Sequence, residues 1–245
     1  MTIKPVQPVI IGDVIWRPTD DVIEKSRLKR FMDRHGIESF QELLGRADGD
    51  IEWFWDAAIK DIDIAFYREY DRVVDLSEGK AWAKWWIGAR MNIVHTCLDR
   101  HRDGDSTNKT AIIWEGEPGE VRTLSYRELD QDVSRLAGAL RRMAIEKGDR
   151  VGIFMPMCPE VAVSVLACAK IGAVIIPLFS GYGPEAIATR LRDGEAKLLI
   201  CADGFYRRGQ VVPMKETADR ALVSCPSVIK VIVHRRVVRE IPWTH

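Results

Sequence analysis

The chain has 245 residues, with 36 Lys plus Arg, 36 Asp plus Glu and a formal net charge of zero. At about 150 residues per domain this is one large domain or two small ones. A hydrophobic share of 47% beside 29% charged residues excludes long disordered tails, collagen-like repeats and low-complexity arrays. The neutral balance also removes the electrostatic basis for nucleic acid as a main partner, because duplex binding leans on phosphate neutralisation.

Residues 1–16 lack a basic stretch followed by a long apolar run, so no secretory signal is expected. The first hundred residues read as helical and rich in tryptophan. Asp21-x-x-Glu24 is a capping-box pattern followed by apolar Leu28, Phe31 and Met32, with Gly36 as a stop. Ser39-x-x-Glu42 starts a second helix, and Asp50 caps a third that carries Trp53, Phe54, Ala57 and Ala58. Six of the eight tryptophans precede residue 90, which reads as core and packing surface more readily than as a ligand stack.

A polar run over residues 104–108 marks a boundary. It separates a helical segment, 1–104, from an α/β portion, 105–245. Residues 111–115 read as a strand and Glu117-Pro-Gly-Glu120 as a turn. Ser125-x-x-Glu128 then caps a helix with apolar Leu129, Val133, Leu136, Ala137 and Leu140, ending before Gly148.

Beyond that point the pattern alternates. Strands are predicted over 150–155, 174–179, 197–201 and 228–233. Helices between them open at Pro159, at Gly183-Pro184 and at Pro213. Residues 160–179 are mostly apolar, but Lys170, Gly172 and Pro177 make them a buried helix and strand instead of a membrane span. Short apolar strands joined by helices predict a parallel sheet flanked by helices and covered on both faces. No closing helix follows the last strand before Pro242-Trp-Thr-His245, so the sheet reads as unfinished. The five cysteines, Cys97, Cys158, Cys168, Cys201 and Cys225, are odd in number and form no C-x-x-C; they read as reduced thiols of a cytoplasmic protein.

Three motifs carry alternative readings. Gly181-Tyr-Gly-Pro-Glu-Ala186 is a G-x-G-x-x-A with Asp203 twenty residues past Gly183, the spacing of a dinucleotide-binding turn whose acid takes a ribose hydroxyl. It equally reads as a tight strand-to-helix turn stiffened by Pro184. His95, Cys97, Asp99 and His101 alternate as possible metal ligands, or form a hydrogen-bonded helix end with Arg102. Tyr206-Arg-Arg-Gly-Gln210 is a phosphate-holding arginine pair or a solvated loop, and His234-Arg-Arg236 a basic strand end. Walker-type loops, G-x-S-x-G and H-E-x-x-H are absent, so no catalytic residue is assigned.

Several stretches carry a resemblance. They are Trp85-Trp-Ile-Gly-Ala-Arg-Met-Asn92, Cys97-Leu-Asp-Arg-His101, Ala111-Ile-Ile-Trp-Glu-Gly-Glu117, Leu124-Ser-Tyr-Arg-Glu-Leu129 and Lys147-Gly-Asp-Arg-Val-Gly-Ile-Phe-Met-Pro156. Glu160, Leu166-Ala-Cys-Ala-Lys-Ile-Gly-Ala173 and residues 179–191 and 202–215 continue the series. Together they cover most of residues 50–233. In this order the chain resembles the N-terminal portion of AMP-forming acyl-CoA synthetases of the acetyl-CoA synthetase type, within the adenylate-forming enzymes.

The resemblance implies the first part of that family's α/β N-terminal domain. It implies a ligase reaction in which ATP, with Mg2+, and a short-chain carboxylate give acyl-AMP, and CoA then displaces AMP. The family's phosphate loop and catalytic lysine have no counterpart in these residues, so the chain is expected to be inactive alone. It is expected to bind no cofactor tightly and to partner the missing C-terminal part, with no role for nucleic acid or membrane. The resemblance places Arg207, Arg208, Gly209 and Gln210 at the nucleotide end of CoA, where arginines meet the 3′-phosphate, and Gly181 on the CoA approach. Gln210 stands where the family often has a second arginine; a neutral amide cannot supply the same bond, and Arg208 is placed to compensate. Ala89, Thr96 and Gly183 are further departures, for the family's usual glycine, asparagine and serine.

Overall fold

The computed structural model describes residues 15–243. Most of the stretch read for a signal sequence, and the terminal Thr244 and His245, lie outside the described residues. Two compact units are present: Met1–Ile64 with Tyr70–Gly88, and Ala65–Glu69 with Ala89–His245. No helix among the described residues is long and apolar enough to cross a membrane.

In the first unit, helices α1 (Asp20–Lys25), α2 (Arg27–Arg34), α3 (Phe40–Gly49) and α4 (Ile51–Ile62) follow one another. The helix expected from Asp21 through the stop at Gly36 is broken at Ser26. That residue is extended (φ −69°, ψ 148°), and its hydroxyl accepts from the Lys29 amide at 3.0 Å, capping α2. Two short helices with a real cap replace one continuous helix, because a serine side chain satisfies an orphan amide that the Asp21 pattern does not. Ser39 and Asp50 cap α3 and α4 as expected, accepting from Glu42 and Trp53 amides at 3.1 and 2.9 Å.

The core of this unit is Phe31, Met32, Ile37, Leu43 and Ala57, with Trp53 and Phe54 packed against it. Most of the tryptophans fall outside it: Trp16 and Trp82 are exposed, and Trp55, Trp85 and Trp86 form their own cluster with ring centroids 5.6–6.2 Å apart. So thin a helical layer cannot enclose that much indole area. Residues expected to be helical also hold an antiparallel pair, β1 (Arg72–Asp75) with β2 (Lys84–Ile87). Four-residue strands are too short to show a period.

In the second unit, α5 (Ile93–Cys97) leads to an antiparallel pair, β3 (Thr110–Glu115) with β4 (Val121–Ser125). The capping box of Ser125 and Glu128 opens α6 (Tyr126–Arg142). Then come β5 (Arg150–Phe154), α7 (Pro159–Ile171), β6 (Val174–Leu178), α8 (Pro184–Asp193) and β7 (Leu198–Ala202). Pro159 and Pro184 sit at the first helical turns, and Gly172 closes α7 at φ 77°. An unforeseen hairpin follows, β8 (Gly204–Arg207) with β9 (Gln210–Pro213), then α9 (Met214–Leu222) and β10 (Lys230–His234).

The four strands β10-β7-β5-β6 form one all-parallel sheet in that spatial order. β5 therefore starts inside the sheet, with its successor on one side and later strands on the other. Such a reversal opens a crevice at the carboxyl ends of β5 and β7. α6 packs on α7 and α8 on α9, and right-handed crossovers put these pairs on opposite faces. β7 is wholly buried and β5 nearly so, whereas the edge strands β6 and β10 keep partly exposed residues. Four of the five cysteines are buried and Cys97 is exposed; all are free. Burial pushes the Cys168 and Cys201 thiols up to about 12.

A charged cluster ties the 99–102 turn to α6 and α7. Arg102 donates from Nε and Nη2 to the two Asp130 oxygens, both at 2.9 Å, and Lys170 Nζ reaches Asp99 at 2.7 Å. The Arg102 bond is the main cause that holds the Asp130 carboxyl below its ordinary 3.8. A depressed carboxyl stabilises the fold at pH values above its unfolded pKa, and that contribution fades as pH falls through the folded one. Asp130→Asn should therefore cost roughly 1–2 kcal/mol at neutral pH. The gap to wild type should narrow as pH is lowered below about 4, measured by urea midpoints across pH. A gap that is constant with pH would rule out the ion pair as its source.

Candidate functional site

The carboxyl ends of β5, β6 and β10 and the β8–β9 hairpin surround a cleft of about 200 Å³. Pro156 and Met157 come from the loop after β5, Ser180 from the turn after β6, and Phe205 and Tyr206 from β8. Trp114 and Glu117 come from β3 and its turn, and Arg236 from the segment after β10. The location is the one the sheet order dictates.

The walls are fixed by their own contacts. Trp114 donates its indole N–H to the Met157 carbonyl at 2.7 Å. The Arg236 guanidinium lies over the Trp114 ring, 4.9 Å from its centroid, faces Tyr206 at 5.7 Å and pairs with Glu120. The Gly209 amide donates to Glu117 Oε1 at 2.6 Å, which ties the hairpin tip to the β3–β4 turn. These groups give the cleft aromatic sides and one guanidinium, Arg236, stacked on the aromatic wall and paired with Glu120.

Arg207, Arg208, Gly209 and Gln210 form the solvent-exposed tip of the hairpin. Arg207 and Gln210 are cross-strand partners, so both side chains leave one face of the ribbon. Arg208 and Gly209 are the two turn residues, both left-handed at φ 53° and 72°, the conformation of a two-residue primed turn. All four residues are exposed. No hydrogen bond or ion pair among the described residues engages either guanidinium. Gly181, also exposed, follows Ser180 of the cleft lining, and a Cβ there would meet the Phe179 ring at 2.7 Å. Ser180, the neighbour of Gly181, and Tyr206, the neighbour of Arg207, both line the cleft.

The dinucleotide reading loses its acid. Asp203 is fully buried, and its carboxylate accepts from the Arg236, Val237 and Arg239 amides at 2.8, 3.1 and 3.3 Å. No ribose hydroxyl can reach it. The Gly181–Gly183 turn also follows an edge strand and not the strand at the crevice. His95, Cys97, Asp99 and His101 do not gather: His95 lies against Tyr67, Asp99 is held by Lys170 and Arg102, and His101 stacks near Tyr126. The helix-end reading fits, since Asp99–His101 is a 3₁₀ turn. Among the described residues, metal-ligating groups converge at Cys158, Glu160 and His234. Trp114, Glu117 and Arg236 were not singled out as site residues, because they come from segments far apart in sequence.

Two family models match the chain: the N-terminus of acetyl-coenzyme A synthetase over residues 40–97, and the AMP-binding enzyme family over residues 98–243. The acetyl-coenzyme A synthetase of Wolinella succinogenes is 40% identical over 232 residues, which is 94% of this chain and 34% of that protein. That of Mycolicibacterium smegmatis is 39% identical over 204 residues, 83% of this chain and 21% of the relative. The chain thus spans between about a fifth and a third of the length of these relatives. The solved acetoacetyl-CoA synthetase from Streptomyces lividans shares the fold, with a TM-score of 0.85 at 24% identity, covering 94% of this chain and 36% of that one.

Proposed function

The chain belongs to the AMP-binding enzyme family, and we propose that it supplies the first portion of an acyl-CoA ligase. The reaction is activation of a short-chain carboxylate by ATP, with Mg2+, to acyl-AMP and pyrophosphate, then displacement of AMP by the CoA thiol. The N-terminal segment 1–104, helices with one short antiparallel strand pair, and the α/β portion 105–245 are the parts contributed, in the cytoplasm, where the free thiols stay reduced. The acyl-AMP chemistry needs preorganised donors on the phosphates. These 245 residues hold no Ser/Thr/Gly-rich phosphate loop followed by a lysine. The proposed partner is the segment of such a ligase that carries that loop and the catalytic lysine.

The observation that carries this reading is the pair of exposed guanidiniums, Arg207 and Arg208, at the tip of the β8–β9 hairpin whose Phe205 and Tyr206 line the cleft. In this reading they take the 3′-phosphate of CoA, with Gly209 and Gln210 at the tip and Gly181 across the approach. Gln210 supplies an amide where a second charge would stand, and Arg208 supplies the charge from the turn. An exposed charge-assisted contact of this kind is worth about 1.4 kcal/mol, or tenfold in affinity.

Two results test the reading. Incubated with ATP, CoA and acetate or propionate, the chain alone should release no pyrophosphate above background; steady turnover would show that the loop and lysine are dispensable. In amide NMR titrations at millimolar concentrations, CoA should shift residues 204–213. Dephospho-CoA, which lacks the 3′-phosphate, should bind about tenfold more weakly. Arg207→Ala should shrink that difference, and Arg207→Ala with Arg208→Ala should erase it. Equal binding of the two coenzymes would sink the phosphate assignment.

A further inference from the structure

Beside the cleft, three side chains that none of its contacts use point at one another. Cys158 is the residue before α7, Glu160 lies in the first turn of α7, and His234 ends β10. The thiol, a carboxylate oxygen and an imidazole nitrogen all lie within 4.8 Å of one another. Cys158 is buried, and the Glu160 and His234 side chains are each about three-quarters enclosed.

The polar accounting at Glu160 does not close. Its Oε1 accepts from Arg122 Nη1 at 2.8 Å. Its Oε2 is fully enclosed and makes no hydrogen bond. His234 Nε2 stands 3.5 Å from that oxygen, at the outer limit for such a bond. Enclosed carboxylate oxygens are ordinarily answered by donors or cations.

We infer that Cys158, Glu160 and His234 form a three-ligand site for a borderline divalent cation of the zinc class, with water in the fourth position. One sulfur, one imidazole nitrogen and one carboxylate oxygen is a donor set for Zn2+ and not for Mg2+ or Ca2+, which avoid thiolate. Bond lengths of about 2.0–2.3 Å at tetrahedral angles put ligand atoms roughly 3.3–3.8 Å apart. The one pair with a defined separation, His234 Nε2 and Glu160 Oε2, already stands at 3.5 Å, and the thiol would have to come within the same range. On binding, the Cys158 thiol gives its proton to solvent. Thiolate and carboxylate then neutralise the dication, and Arg122 on the other carboxylate oxygen fixes the orientation of Glu160, as outer partners of zinc ligands do. The ion would pin the start of α7 to the end of β10, next to Met157, whose carbonyl holds Trp114 in the cleft wall.

The test uses the reduced, metal-free 245-residue chain and Co2+ as the probe. One equivalent should bind with thiolate-to-cobalt charge-transfer absorption, and Zn2+ should displace it. Cys158→Ser should abolish the charge-transfer band. His234→Gln should weaken Co2+ binding by about tenfold or more. Cys97→Ser, at the exposed cysteine, should change nothing. X-ray absorption at the zinc edge of the loaded wild-type chain needs no variant, and should find one sulfur at about 2.3 Å among nitrogen and oxygen. Absence of the charge-transfer band, its survival in Cys158→Ser, or a shell with no sulfur or several overturns the inference.

Discussion

Phe154→Ala is expected to destabilise the α/β unit by roughly 3–5 kcal/mol, the largest effect of any single truncation considered for the sheet. Phe154 ends the central strand β5, is 1% exposed, and stands in register with Leu178 of β6 and Cys201 of β7. Neighbouring strands on both sides and a helix layer on each face leave no side from which the structure can collapse into the void. The penalty is therefore the lost transfer energy of the ring together with an unrelaxed cavity. Thermal unfolding should move down by about 10 °C. Phe179→Ala is the matched control: the same ring is removed one strand away, but Phe179 is 61% exposed, and the cost should stay within about 0.5 kcal/mol. Similar losses for both variants would mean that the sheet core does not lie where the burial pattern puts it.

The legibility of this fold in its sequence follows the punctuation. Pro159 and Pro184 at helix starts, Gly172 at a helix end and the Ser125–Glu128 box each satisfy a local backbone requirement, so each can be read without the rest of the molecule. The four parallel strands follow from those marks, and all four were expected within a residue or two of where they lie. Both short hairpins were missed. β8–β9 turns on Arg208-Gly209, where the usual Asn-Gly or Asp-Gly signal is absent and an arginine takes the left-handed conformation instead. The Ser26 break in the first helix was hidden by a pattern, Asp21-x-x-Glu24, that imitates a cap.

The site was legible only in part, and for a different reason. Arg207 to Gln210 and Gly181 stand out only by resemblance to acyl-CoA synthetases; all five are exposed. Local spacing could not have found Trp114, Glu117 and Arg236, which meet because β3 and β10 are brought to the same end of the fold. The glycine turn misled for a physical reason: its spacing to an acid is right, but burial, which spacing does not encode, gives that acid another task.

That task sets the last expected result: Asp203→Ala should cost roughly 2–4 kcal/mol and should loosen the Arg236 end of the cleft. Asp203 is fully buried, and its two oxygens accept from the amides of Arg236, Val237 and Arg239. Between the second and third of these sits Val238, left-handed at φ 55°. A β-branched residue rarely takes that conformation, and it persists only where surrounding bonds over-determine it. The carboxylate supplies those bonds on both sides of the strained residue. Alanine in its place strands the amides and releases the loop that holds Arg236 over Trp114. Asp203→Asn keeps one acceptor oxygen and should lose about half as much stability. Val238→Gly removes the strain and should restore about 1 kcal/mol to Asp203→Ala while changing the wild-type chain less. Urea midpoints of the four variants and wild type decide the matter. An Asp203→Ala chain that melts like wild type would return the residue to the pool of ligand-binding acids and break the account of why the Gly181 turn is not a dinucleotide site.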